Sequence, residues 1–236
     1  MTAGTLAILA LTVTAAAFVQ GSSGLGFALI VAPVAGLIDP RLLPVFVLAA
    51  MIPLNLYVAW RERSSLDLRG AGWITAARLG ATPGGLALLW LIPERGLGLF
   101  VGLATVLAAV VSLVAPAFTP GRAAYVGAGA VTGLTETATG VGGPPLALVY
   151  QHRPPAELRS TVAVCFLVGE VASLLLLFAT GEGRPADLVL ALALAPAIAA
   201  GAWLSRLAHH RIDARRMRHF VLGFALVSGA LLILGL

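Results

Sequence analysis

The chain has no lysine: all fifteen of its basic residues are arginine. Together with its richness in Ala and Gly, this reads as the coding bias of a GC-rich bacterial genome rather than as chemistry. The single cysteine, Cys165, excludes a disulfide framework or a thiolate metal site within the chain. It sits in an apolar run and is expected to be a small core residue. Charged residues make up only 11% of the chain against 59% apolar, and the mean hydropathy is +0.99. No soluble domain of this size could cover itself with so few charges. The four histidines, His152, His209, His210 and His219, all lie in or beside connectors. His209-His210 reads as a solvated face with no third ligand in view, so neither a metal nor another cofactor is expected. No basic residue precedes the first apolar run in Met1-Thr2-Ala3-Gly4-Thr5, which argues against a cleaved signal peptide.

What the chain does have is apolar segments from end to end, so it reads as a polytopic membrane protein with no separate soluble domain. Helical segments are predicted at 4–20, 25–38, 41–60, 70–91, 96–115, 122–135, 141–150, 157–180, 186–207 and 214–236. The pI of 10.6 comes from arginines in short connectors, the pattern of the positive-inside rule. The bilayer is therefore the expected partner, and nucleic acid is not.

Two polar, Gly-rich interruptions break the apolar pattern. One is Gln20-Gly21-Ser22-Ser23-Gly24-Leu25-Gly26; the other is Glu136-Thr137-Ala138-Thr139-Gly140-Val141-Gly142-Gly143. Aligned on Gly24 and Gly140 they stand 116 residues apart (140 minus 24), about half the chain. Non-helical backbone in hydrocarbon leaves N–H and C=O groups unpaired, so such breaks persist where they line a cavity or meet a ligand. Matched breaks in two halves are a pointer to a transporter binding site. Each break is followed by a Pro/Arg connector and three longer spans. The chain thus divides into a first membrane repeat, 1–118, and a second, 119–236, within one integral membrane domain.

Arginine placement bears on topology. If each broken stretch crosses once, Arg61, Arg63, Arg69, Arg122 and Arg184 face one side and nine arginines the other. If each enters and leaves on one face, only Arg41, Arg95 and Arg184 oppose eleven. The positive-inside rule favours the second arrangement, although ten full crossings give the same split. The pieces 25–38, 122–135 and 141–150 rise only about 15–21 Å at 1.5 Å per residue, short of a ~30 Å hydrocarbon core. The expected fold is all-α: two inverted repeats, each of one Gly-broken re-entrant hairpin plus three transmembrane helices. Both termini would be periplasmic, with the two tips meeting near the midplane.

At the tips, Gly21, Gly24, Gly26, Gly140, Gly142 and Gly143 allow close backbone approach to a ligand. Half-helix N-termini after each break would offer N–H groups to an anion, and Gln20, Ser22, Ser23, Thr135, Thr137 and Thr139 add polar side chains. The bland alternative is close helix packing through small residues. Arg78 is the one arginine well inside a predicted span. It is a candidate to neutralise a substrate oxyanion, or else a structural partner of Glu136 or Glu170. Those two acids are candidates for proton coupling, because a carboxyl group in low dielectric takes up and releases protons nearer neutrality. A permanently protonated, hydrogen-bonding Glu is the alternative. Repeat partners are polar too: Gln20 matches Glu136, and Asn55 lies within a residue of the match to Glu170. Pro33, Pro53, Pro83 and Pro196 are expected to be tolerated kinks. Gly21-Ser22-Ser23-Gly24 also fits the pattern of intramembrane serine proteases of the rhomboid type, but that chemistry needs a histidine at membrane depth, and none lies inside a span.

The breaks Gly21-Ser22-Ser23-Gly24-Leu25-Gly26 and Gly140-Val141-Gly142-Gly143-Pro144-Pro145, the Pro-bearing spans after each, and the duplicated layout together resemble the TauE/SafE family of sulfite exporters. The resemblance covers essentially the whole chain. It implies movement of sulfite or a small organosulfonate such as sulfoacetate across the bacterial inner membrane, as export. The expected function is a non-enzymatic secondary transporter, possible as a homodimer, with a small anion and a proton as its ligands. An uncoupled anion channel, an intramembrane serine hydrolase and an assembly subunit stand as alternatives.

Overall fold

The computed structural model describes residues 2–114, 120–208 and 214–235. His209, His210 and Arg211 lie outside them. Among the described residues there are eleven α-helices and no strand. In chain order they are α1 (Ala3–Ser23), α2 (Phe27–Ile38), α3 (Val45–Arg61), α4 (Leu68–Leu91), α5 (Glu94–Val114), α6 (Arg122–Thr139), α7 (Gly143–Tyr150), α8 (Pro155–Ala179), α9 (Pro185–Ala193), α10 (Ala195–Ala208) and α11 (Ala214–Leu234).

Two corrections to the expected segments matter for the site. The polar residues before each break are helical. Gln20 through Ser23 end α1, and Glu136 through Thr139 end α6. At 1.5 Å per residue α1 rises about 31 Å and α6 about 27 Å, so neither is a short piece. Hydroxyl groups make this possible by bonding back to carbonyls one turn earlier: Ser22 Oγ donates to Phe18 O, and Thr135 Oγ1 to Val131 O. The non-helical backbone shrinks to 24–26 and 140–142. The second correction concerns 186–207, which is not one helix: α9 and α10 meet at Leu194 with a 47° bend. Pro196 lacks an N–H and its ring crowds the carbonyl of Leu192, which disfavours a straight helix there. Pro33, Pro53 and Pro83 sit within continuous helices.

Among the described residues, three helices, Ala3–Ser23, Gly96–Val114 and Pro155–Ala179, are long and apolar enough to cross a membrane, and α9 with α10 makes a fourth if the bent pair is one span. The burial pattern suits lipid. Leu11, Leu107, Leu175, Leu192 and Val227 are exposed, whereas Gln20, Asn55, Arg78, Glu136, Thr137, Glu170 and Ser173 are buried.

Packing pairs the helices across the two halves of the chain. α4 packs on α6 and α1 on α10, while α3 lies on α8 and α5 on α11. Small residues let the backbones approach. A Cβ at Gly133 would meet the Arg78 carbonyl, one at Gly201 the Thr14 carbonyl, and one at Gly102 the Gly229 carbonyl. α2 folds back on α1, and α7 on α6, which brings the segments after the two breaks into the interior.

Candidate functional site

The two breaks share one local geometry. Gly24 closes α1 with φ +87°, and its N–H donates to Gln20 O at 2.7 Å. Gly140 closes α6 with φ +80°, and its N–H donates to Glu136 O at 2.7 Å. Both lie in the left-handed region that side chains disfavour, which is why glycine stands at both. One residue earlier, Ser23 Oγ donates to Val19 O at 2.8 Å and accepts from the Leu25 N–H at 3.3 Å. Thr139 Oγ1 donates to Thr135 O at 2.7 Å and accepts from the Val141 N–H at 3.0 Å.

The breaks lie against each other. The Leu25 side chain comes within 3.5 Å of where a Cβ on Gly143 would stand. Ser22, Ser23, Leu25 and Gly26 of the first break and Gly143 and Pro144 of the second line one cavity of about 720 Å³. Its other polar lining comes from Ser112 at the end of α5, Gln151 and Arg153 after α7, Arg159 in α8 and His219 in α11.

The remaining candidates fall behind this cavity, in a sealed polar layer. Arg78 is fully buried and forms an ion pair with Glu136, also fully buried. Arg78 Nη1 donates to the Cys165 carbonyl at 2.6 Å, and its guanidinium lies 5.5 Å from the centre of the Phe166 ring. A Cβ at Gly169 would fall on that guanidinium, so the glycine gives Arg78 its room. Glu170 accepts from Asn55 Nδ2 at 2.7 Å, Asn55 Oδ1 accepts from Gln20 Nε2 at 2.8 Å, and Gln20 Oε1 accepts from the Phe27 N–H at 3.1 Å. The first N–H of α2 is therefore taken by the protein's own Gln20. Among the described residues, Glu136 Oε1 and Glu170 Oε2 have no hydrogen-bond partner. Thr137 shares a 2.8 Å hydrogen bond with Ser173. Gly142 packs on the Glu136 side chain. Gly21, Gly24, Thr139 and Gly140 are buried off the cavity, and Thr135 is half-buried.

Of the residues chosen from sequence, Ser22, Ser23, Gly26 and Gly143 thus share a cavity. Gln20, Arg78, Glu136 and Glu170 form the polar layer instead. Sequence reasoning missed Arg159, Arg153, Gln151 and His219, because all four read as connector residues. For Gln151, Arg153 and Arg159 the available signal was their place soon after the second break; for His219, in α11, there was none. It also missed how Arg61 and Arg159 serve the first break. Arg61 Nη2 donates to Gly21 O at 3.2 Å and Arg159 Nη1 to Ser22 O at 3.4 Å, placing two cations at the carbonyl end of α1.

A family model described as sulfite exporter TauE/SafE matches residues 9–232, nearly the whole chain. No curated protein and no solved structure matches it.

Proposed function

Since the chain belongs to the TauE/SafE family of sulfite exporters, we propose that it exports a small sulfur oxyanion, sulfite or an organosulfonate, by alternating access around the cavity between its two breaks. Members of this family are membrane transporters and not enzymes, so a small anion and the bilayer are its partners. The observation that carries the proposal is the meeting of Ser22, Ser23 and Gly26 with Gly143 in one cavity rimmed by arginine. Hydroxyl groups and arginine suit an oxyanion and disfavour a cation.

The proposed frame is a pair of inverted repeats, 1–118 and 119–236, in the bacterial inner membrane with both termini periplasmic. Matched cap geometry at Gly24 and Gly140 supports it. So does the way packing exchanges between halves: α1 on α10 answers α6 on α4. In this topology Arg153 and Arg159 face the cytoplasm, so the cavity is open toward the compartment from which an exporter loads.

Glu136 and Glu170 are proposed as the proton carriers. Arg78 can balance one carboxylate. The second balances only by holding a proton, because an uncompensated buried charge is costly. Gln20 and Asn55 link Glu170 to the start of α2, so a change in its protonation reaches Phe27, just after the first break, through three hydrogen bonds.

The test is sulfite flux in proteoliposomes, with and without a proton gradient, in competition with sulfate, thiosulfate, isethionate and sulfoacetate. We expect saturable sulfite flux that responds to the proton gradient and loses that response in Glu170→Gln. Flux that ignores the gradient in the wild type points to an uncoupled channel. Flux equal to that of protein-free liposomes refutes the transport reading. Wild-type rates in both Arg78→Ala and Glu136→Gln would remove those two residues from the mechanism.

A further inference from the structure

We infer that Arg159 is the residue that grips the transported anion, and that Glu62 occupies its guanidinium until the anion displaces it. The inference rests on the transport reading above. It goes further by naming a binding residue and a built-in competitor for the same cavity.

Arg159, on the cavity wall, forms a charge triad with Glu62 and Arg61 behind it. Glu62 receives Arg159 Nε at 2.9 Å on both of its oxygens, and Arg61 Nη2 on Oε1 at 2.6 Å. One acid therefore serves two bases, leaving one positive charge uncompensated within the triad. Arg159 lines the cavity together with Ser22 and Ser23, and 12% of its side chain is accessible.

The second break shows that a break folds without such a triad. It reproduces the cap of the first, with the same hydrogen bonds and the same left-handed glycine. Yet the positions 116 residues from Arg159, Arg61 and Glu62 are Leu43, Leu177 and Phe178, and what packs on Gly140 is Val47. Arg61 and Arg159 do donate to Gly21 O and Ser22 O, but a break folds without such donors, so the triad has a role beyond the backbone turn.

Ligand chemistry supplies the reason. A sulfonate or sulfite group presents paired oxygens to a guanidinium as a carboxylate does. When an oxyanion enters, Arg159 exchanges Glu62 for it, and Glu62 stays with Arg61. Two neutral pairs result, and the surplus charge is cancelled by a monoanion. The other cations fit this role less well. Arg78 is sealed and paired with Glu136, whereas Arg153 is 44% exposed and paired with Glu157 at 3.7 Å.

The experiment is sulfite transport kinetics in proteoliposomes with the full chain, Glu62→Gln and Arg159→Lys. Removing the competitor in Glu62→Gln should lower KM several-fold. Keeping the charge but losing the planar fork in Arg159→Lys should raise KM about tenfold with a smaller change in kcat. A purely structural triad predicts the opposite for Glu62→Gln: lower kcat and no gain in KM. An unchanged or raised KM in Glu62→Gln overturns the inference, as does an unchanged KM in Arg159→Lys. Should Glu62→Gln not reconstitute, Arg159→Lys decides alone. Wild-type liposomes without sulfite flux would overturn the transport reading and this inference with it, whereas wild-type flux with unmoved KM values sinks only the inference.

Discussion

Arg78→Met puts a number on the buried ion pair. Arg78 and Glu136 are both fully buried, and Glu170 is buried nearby without a cation of its own. Methionine is shorter than arginine but close to it in volume and satisfies the apolar wall at Phe166, so the substitution removes charge more than volume. It leaves Glu136 buried and uncompensated, at a cost of about 3–5 kcal/mol. It also strips the Cys165 carbonyl of its 2.6 Å donor. At this chain length 1 kcal/mol shifts Tm by about 2–4 °C, so thermal unfolding in detergent should fall by about 6–20 °C. The double variant Arg78→Met/Glu136→Gln replaces an ion pair by neutral groups. It should regain most of the loss, because exchanging a buried pair for neutral residues is often close to energetically neutral. The four proteins form a double-mutant cycle in which the coupling appears directly. If Arg78→Met melts within 2 °C of the wild type, or the two substitutions simply add, the pair is not what holds α4 to α6. Transport then assigns the role. A double variant that is stable yet inactive places the pair in the transport cycle, and one that is stable and active makes it scaffold.

Two further outcomes follow from the geometry. Alanine at Gly24 or Gly140 must adopt a left-handed conformation, costing about 1–2 kcal/mol at either. At Gly24 the new methyl would also meet Leu158 at 2.5 Å and Arg159 at 2.8 Å, against 3.0 Å to Val47 at Gly140. Gly24→Ala should therefore show the larger Tm loss in detergent, and equal losses would refute this account of the first break. For topology, reporter fusions at the C-terminus should be active on the periplasmic side, and a cytoplasmic signal would sink the inverted-repeat arrangement.

Much of the frame was legible because lipid imposes few options. Nine of the ten expected apolar runs are single helices within a few residues of their expected limits, and the tenth is two, since a chain in hydrocarbon must satisfy its N–H groups internally. What was not legible is informative. Gln20 through Ser23 and Glu136 through Thr139 read as broken backbone on composition, yet they are helical because their hydroxyls bond back to their own helix. The bend at Leu194 was hidden in a continuous apolar run, and only Pro196 marked it. Asn55 and Glu170, 115 positions apart (170 minus 55), were matched as repeat partners. That they share a hydrogen bond depends on α3 lying against α8, a tertiary fact no local pattern holds. The same is true of Arg159. It reads as one connector arginine among many until the fold brings α8 against the end of α1.

Comparing the halves separates scaffold from function more sharply than either half does alone. What both breaks have is what a break needs in order to fold: a left-handed glycine, a hydroxyl one residue before it, and an apolar or aliphatic contact behind it. What only one has requires another explanation. Arg78 answers to Leu194, and Arg159 to Leu43. A symmetric frame can alternate between two faces, but a single anion needs a single charged grip, and two equal grips would hold the ligand on opposite sides of the centre. On the proposed transport reading, the asymmetric arginines are where specificity would be written. Of the two, Arg159 is the one the cavity reaches, while Arg78 is engaged by an acid that can carry a proton. Substrate and proton would then act at neighbouring sites, connected through Gln20, whose backbone carbonyl caps the first break and whose side chain joins Asn55 to the start of α2.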